Sequence, residues 1–93
     1  MGIPVISTTT LTAAGQIKAS VGYLFWFICA NTSGSNRKCI FNNATTGTGG
    51  KMFTVNVAAG ATESFAFPIA LYFGTGIRIG TFEADLDVTC GYQ

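Results

Sequence analysis

Three cysteines, four carboxylates and no histidine are the side chains from which any chemistry in this chain would have to be built. Cys29 and Cys39 stand symmetrically about Gly34. A simple hairpin centred there would set them opposite each other, at the Cα spacing of a disulfide, about 5.5 Å. The competing reading makes Cys29, Cys39 and Cys90 small buried hydrophobes, where free cysteine usually sits, and without a secretion signal that reading is favoured. A zinc site needs about four nitrogen or sulfur ligands, and three cysteines with no CxxC and no histidine fall short.

The acids have a more regular spacing. Glu83, Asp85 and Asp87 alternate with Phe82, Ala84, Leu86, Val88 and Cys90. On a strand they would line one face with successive Cα atoms roughly 6.8 Å apart. Two neighbours could share a calcium ion, or match the separation of a glycosidase pair, but any i, i+2 acidic pair on a strand does the same. A solvated face that deters edge pairing is the simpler reading. Nucleophilic catalysis needs a base beside Ser or Cys; here that base would be Lys or a carboxylate, and no motif frames one. The chain is therefore read as no enzyme, with no catalytic, cofactor-binding or metal-binding residue.

Other motifs resolve into turns. Gly74-Thr75-Gly76-Ile77-Arg78-Ile79-Gly80 departs by one residue from a dinucleotide loop and leads into a strand rather than a helix. Gly47-Thr48-Gly49-Gly50-Lys51 lacks the leading spacing of a P-loop. Asn31-Thr32-Ser33 and Asn43-Ala44-Thr45 match glycosylation acceptors but read better as turn chemistry. The aromatics Trp26, Tyr23, Tyr72 and Tyr92 could stack on sugar rings or single-stranded bases if exposed, against core and subunit packing as the simpler role. Arg37-Lys38 is the only basic doublet, and a net charge of +1 argues against nucleic acid as a partner.

The elements that would carry these residues are strands. Phe82 to Cys90 keeps a period of two over nine residues, the pattern of a half-buried strand. Val21 to Ala30 is apolar on both faces, so one face lies on the core and the other must meet a loop, a second sheet or a neighbouring chain. Gln16 to Ser20, Lys38 to Phe41 and Met52 to Val57 continue the series, with Phe53, Val55 and Val57 on one side. Ser64 to Phe67 stops at Pro68, and Leu71 to Phe73 and Ile77 to Ile79 flank a tight turn at Gly74-Thr75-Gly76. Val5 to Leu11 is Thr-rich and suits an edge strand. No stretch shows helical periodicity over three turns. The expected fold class is all-β: a single β-sandwich, jelly-roll-like, of about seven or eight short antiparallel strands, one domain over 1–93 with a short N-terminal arm at about 1–5.

With 93 residues, 48% hydrophobic and only 10% charged against roughly 25% in average domains, the chain carries more apolar surface than so small a core is expected to hide. Another subunit is the natural cover. The start of the chain lacks the basic region and apolar stretch of a signal peptide, and the ten-residue apolar run from Val21 is about half the length of a membrane-spanning helix. No membrane partner is expected.

Phe67-Pro68, Leu71-Tyr72-Phe73, Gly74-Thr75-Gly76-Ile77 and the ending Val88-Thr89-Cys90-Gly91-Tyr92 resemble small virion proteins of tailed bacteriophages. The opening Ile6-Ser7-Thr8-Thr9-Thr10-Leu11-Thr12 and Gly15-Gln16-Ile17-Lys18-Ala19-Ser20 is similar to the start of the same group. The group includes capsid decoration, or cement, proteins: β-sandwiches, often jelly rolls, that assemble as trimers over threefold positions of the capsid. The resemblance implies a structural virion protein on the capsid surface, assembled in the host cytoplasm, with itself and the major capsid protein as partners. It carries no catalytic residue over. Because interfaces favour aromatics, the candidate interface residues are Phe25, Trp26, Tyr72 and Phe73, with Ile3 and Val5 of the arm. The alternative is a carbohydrate-binding β-sandwich module of a tail or fibre, with aromatics spaced to match sugar rings.

Overall fold

Local alternation makes the strands, and their nesting makes the fold. The computed structural model describes residues 6–93. Eight strands follow one another: β1 (Ser7–Leu11), β2 (Gly15–Lys18), β3 (Gly22–Asn31), β4 (Arg37–Asn43), β5 (Lys51–Val57), β6 (Thr62–Phe73), β7 (Ile77–Phe82) and β8 (Leu86–Tyr92). They form two four-stranded sheets, β1-β8-β3-β6 and β2-β7-β4-β5, in which every pairing is antiparallel. Strand β4 pairs with β5, β3 with β6, β2 with β7 and β1 with β8. The chain is thus one long hairpin folded over on itself, the jelly-roll arrangement of a β-sandwich.

The inner faces meet in an apolar core. Leu24, Phe27 and Cys29 of β3, Phe73 of β6, and Leu86, Val88 and Cys90 of β8 lie against Cys39 and Phe41 of β4, Val55 and Val57 of β5, and Ile77 and Ile79 of β7. At one end the aromatic rings interlock: Phe41 stacks on Phe53 at 4.7 Å between centroids, and Phe27 reaches across to Phe41 at 5.6 Å. The doubly apolar strand β3 is handled by a register shift between Leu24 and Trp26, where Phe25 has no partner on either neighbour. A bulge of this kind changes which side chains point inward, so Leu24 is followed into the core by Phe27 and Cys29 rather than by Trp26 and Ile28.

Nesting overturns three expectations. Every connection except β4–β5 passes from one sheet to the other, so the loop centred on Gly34 is a crossover and Cys29 and Cys39 are not cross-strand neighbours. Leu71–Phe73 and Ile77–Ile79 likewise belong to different sheets, and Gly74-Thr75-Gly76 carries the chain between them instead of closing a hairpin. The alternating run from Phe82 to Cys90 is not one strand: β7 ends at Phe82 and β8 begins at Leu86. Between them Asp85 adopts a positive φ of 65°. The Glu83 N–H donates to the Lys38 carbonyl at 3.2 Å, and the Lys38 N–H donates to Glu83 Oε1 at 2.7 Å. Acids alternating with apolar residues read as a strand locally, but these hydrogen bonds hold the segment as a corner. Strand β6 also runs on through Pro68, which is tolerated because β6 is an edge strand.

Candidate interaction surface

Strand β6 lies at the edge of its sheet, and its twelve residues include a single charge, Glu63. Its register against β3 jumps from Ala66 opposite Trp26 to Leu71 opposite Leu24. Residues 67–70 therefore bow out of the ladder around Pro68, which has no N–H to offer it. Ile69, in that bow, is 87% exposed. Phe65 pairs with the buried Phe27 and faces the same side of the sheet, yet is 51% exposed because little of the opposite sheet lies over it. Between β5 and β6 the two sheets leave an apolar groove of about 330 Å³, floored by Phe27 and Phe53 and walled by Phe65 and Phe67.

A second apolar area covers the outer face of the same sheet. Tyr23 and Tyr72 are directly paired across β3 and β6, with ring centroids 5.4 Å apart and planes tilted by 51°. Ile28 is exposed on the same strand. The half-buried Trp26 indole lies on Gly91 of β8: a Cβ at Gly91 would sit 2.5 Å from the indole Cε2. Glycine here supplies the space in which the indole lies flat on the strand. Along the far side, Thr10 and Thr89 hydroxyls meet at 2.9 Å.

The polar concavity is of another kind. Asn36, Arg37, Lys38, Asn56, Glu63 and Glu83 border an open depression of about 670 Å³ at one end of the sandwich. Two of its charged residues have partners: Glu83 accepts from the Lys38 backbone, and Arg37 reaches Asp85 at 3.9 Å, a long surface pair that contributes little. Among the described residues no three of His, Cys, Asp or Glu gather where they could hold a metal ion.

The cysteines lie in the core. Burial pushes the Cys90 thiol up to about 11. The Cys29 and Cys39 thiols are near enough to perturb each other's protonation, which lowers Cys29 and, together with burial, raises Cys39.

Set against the sequence-based candidates, Tyr72 is exposed at 53% and Phe25 and Trp26 are half-buried on the bulge of β3. Phe73 is a correction. It is the last residue of β6, points inward and is 0% exposed, so it belongs to the core and offers no surface to a partner. Ile3 and Val5 lie outside the described residues. Sequence reasoning missed Ile28, Phe65 and Ile69. Pro68 within an apolar run was the available signal, since proline inside a strand marks an edge or a bulge, and residues beside it lose the cover that a central strand would have. Asn31 and Asn43, read as turn formers, do more than that, and so does Asn42, which sequence reasoning did not single out. Asn31 Nδ2 donates to the Ser35, Val57 and Ala58 carbonyls, Asn42 Nδ2 to the Thr48 and Gly49 carbonyls, and Asn43 Oδ1 accepts from the Thr75 and Gly76 N–H groups. With Asn31 buried, its motif is not available as a surface glycosylation acceptor. Compared with known proteins, the chain matches no family model, no curated protein and no solved structure.

Proposed function

We propose that this chain is a structural assembly protein, a capsid decoration protein of the phage type, that acts by burying the β6 side of its sandwich against copies of itself and the underlying capsid lattice. The observation that carries the reading is the unpartnered apolar edge: Phe65, Ile69 and Tyr72 stand in solvent along one strand, with Tyr23 and Ile28 beside them. A monomer gains nothing by exposing such an edge, which invites association, whereas an assembly covers it. In a trimer each subunit makes two contacts; at about 800 Å² per partner surface these would cover roughly a third of its 5036 Å². Weak individual contacts to several capsomers then add through effective concentration. The tilted Tyr23–Tyr72 pair offers no common flat platform, which counts against sugar stacking on these two rings.

Light scattering on a size-exclusion column, across a dilution series, tests the reading. A trimer that also co-sediments with purified capsids is expected, and the double variant Phe65→Ser, Ile69→Ser should dissociate it while leaving the far-ultraviolet circular dichroism unchanged. A stable monomer that neither assembles nor binds capsids would refute the proposal. Glycan binding abolished by Tyr72→Ala would replace it with the carbohydrate-binding reading.

A further inference from the structure

Two of the three cysteines are placed for chemistry that the assembly role does not use. Strands β3 and β4 lie in opposite sheets, and the loop between them carries the chain across the sandwich. Phe27 of β3 meets Phe41 of β4 across the core at 5.6 Å between ring centroids. Alternation then places the next inward residues toward that loop, Cys29 and Cys39, on facing positions, and both are 0% exposed. The sheets converge at this end: the Asn31 side chain, one inward position further along β3, reaches the Val57 carbonyl of the opposite sheet at 3.0 Å. The two thiols are near enough to perturb each other's protonation, lowering Cys29 and raising Cys39.

Cys90 has no such partner. It sits opposite Phe27 on the neighbouring strand, while Val88 is opposite Cys29. Cys29 and Cys90 are thus diagonal neighbours in one sheet, about 7–8 Å apart, beyond the usual Cα range of a disulfide.

We propose that Cys29 and Cys39 form an intramolecular disulfide that staples the two sheets together, with Cys90 remaining a free buried thiol. The reaction is thiol–disulfide exchange with a small-molecule disulfide such as oxidised glutathione. The Cys29 sulfur attacks it, forming a mixed disulfide and releasing one small thiol. The Cys39 sulfur then attacks the Cys29 sulfur, releasing the second. One protein S–S bond forms, the reagent S–S bond breaks, and the two protein thiol protons end on the two released thiols. The neighbouring Cys39 thiol favours the Cys29 thiolate, so Cys29 is the attacking sulfur and Cys39 the resolving one. Because both are buried, the bond forms as the chain folds or during local opening.

The test is refolding in a glutathione redox buffer, with a parallel sample held in a phosphine reductant. Trypsin separates the cysteines, since Cys29 lies in 19–37, Cys39 in 39–51 and Cys90 in 79–93. The expected product is lighter by its two thiol hydrogens and yields 19–37 joined to 39–51. It melts about 15 °C above the reduced form, as closure of a loop of this length implies. Cys90→Ala should keep both the link and the shift; Cys39→Ala should lose both. Folded protein that retains three free thiols, carries a persistent glutathione on Cys29, or links through Cys90 would overturn the assignment. So would a linked form that melts no higher than the reduced one.

Discussion

Asn31 closes one end of the sandwich, and its removal should be costly in a calculable way. The side chain is 3% exposed. Its amide nitrogen faces the carbonyls of Ser35, Val57 and Ala58 at 2.8, 3.0 and 3.1 Å, and its oxygen accepts from the Ser33 N–H at 2.9 Å and the Ser33 hydroxyl at 2.7 Å. Two amide hydrogens and two lone pairs limit the set to about four good bonds. At about 1 kcal/mol net for each, less what water recovers at the exposed Ser35 end, Asn31→Ala should cost about 3 kcal/mol. Against a total of about 5–14 kcal/mol for a domain of this length, that is a large fraction. The assay is equilibrium urea unfolding, followed by circular dichroism and by Trp26 fluorescence. The midpoint should fall by about 2 M with an unchanged slope. Ser33→Ala, which removes only the hydroxyl's bonds, should cost about 1 kcal/mol or less. A loss below about 1 kcal/mol for Asn31→Ala would refute the reasoning, because water would then be satisfying groups assigned here to Asn31.

Other variants probe the remaining layers of the argument. Gly91→Ala should displace the indole that lies on Gly91, read as a red shift of Trp26 emission with a modest fall in melting temperature; an unchanged spectrum would mean that Trp26 does not rest on β8. Phe73→Ala should destabilise by about 3–5 kcal/mol without any selective effect on assembly, the signature of a core residue rather than an interface residue. Raising the pH should weaken the fold. The Cys90 thiol keeps its proton up to about 11 when folded and loses it near 9.0 when unfolded. The unfolded chain therefore binds fewer protons within that window, and stability is full below it and falls by about 1.4 kcal/mol per pH unit across it. Urea midpoints measured through the window should decline, and Cys90→Ala should flatten the decline.

The division between what was legible in the sequence and what was not follows the range of the interactions involved. Alternation of apolar and polar residues is a nearest-neighbour property, so the strand character of Met52 to Val57, the inward set Phe53, Val55 and Val57, and the edge position of the Thr-rich opening strand could be read directly. The all-β sandwich class followed from their number and spacing. Partner choice is different, because hydrogen-bond ladders look alike to every strand. Three segments that read locally as two hairpins and one continuous strand, around Gly34, Gly74 and Glu83, are all crossovers, a consequence of nesting β3–β6 and β4–β7 within one folded-over hairpin. The symmetry of Cys29 and Cys39 about Gly34 suggested ladder partners, but the fold puts them in opposite sheets, both buried in the core. The exposed surface was the least legible part. Tyr72 and Phe73 are adjacent aromatics with the same composition signal, yet one faces solvent and the other the core, since successive residues of a strand point to opposite faces and only the folded sheet determines which face is covered. Ile69 stands in solvent because residues 67–70 bow out of the ladder around Pro68, whereas Phe65 keeps its pairing with Phe27 and is half exposed in the wall of the groove beside β5.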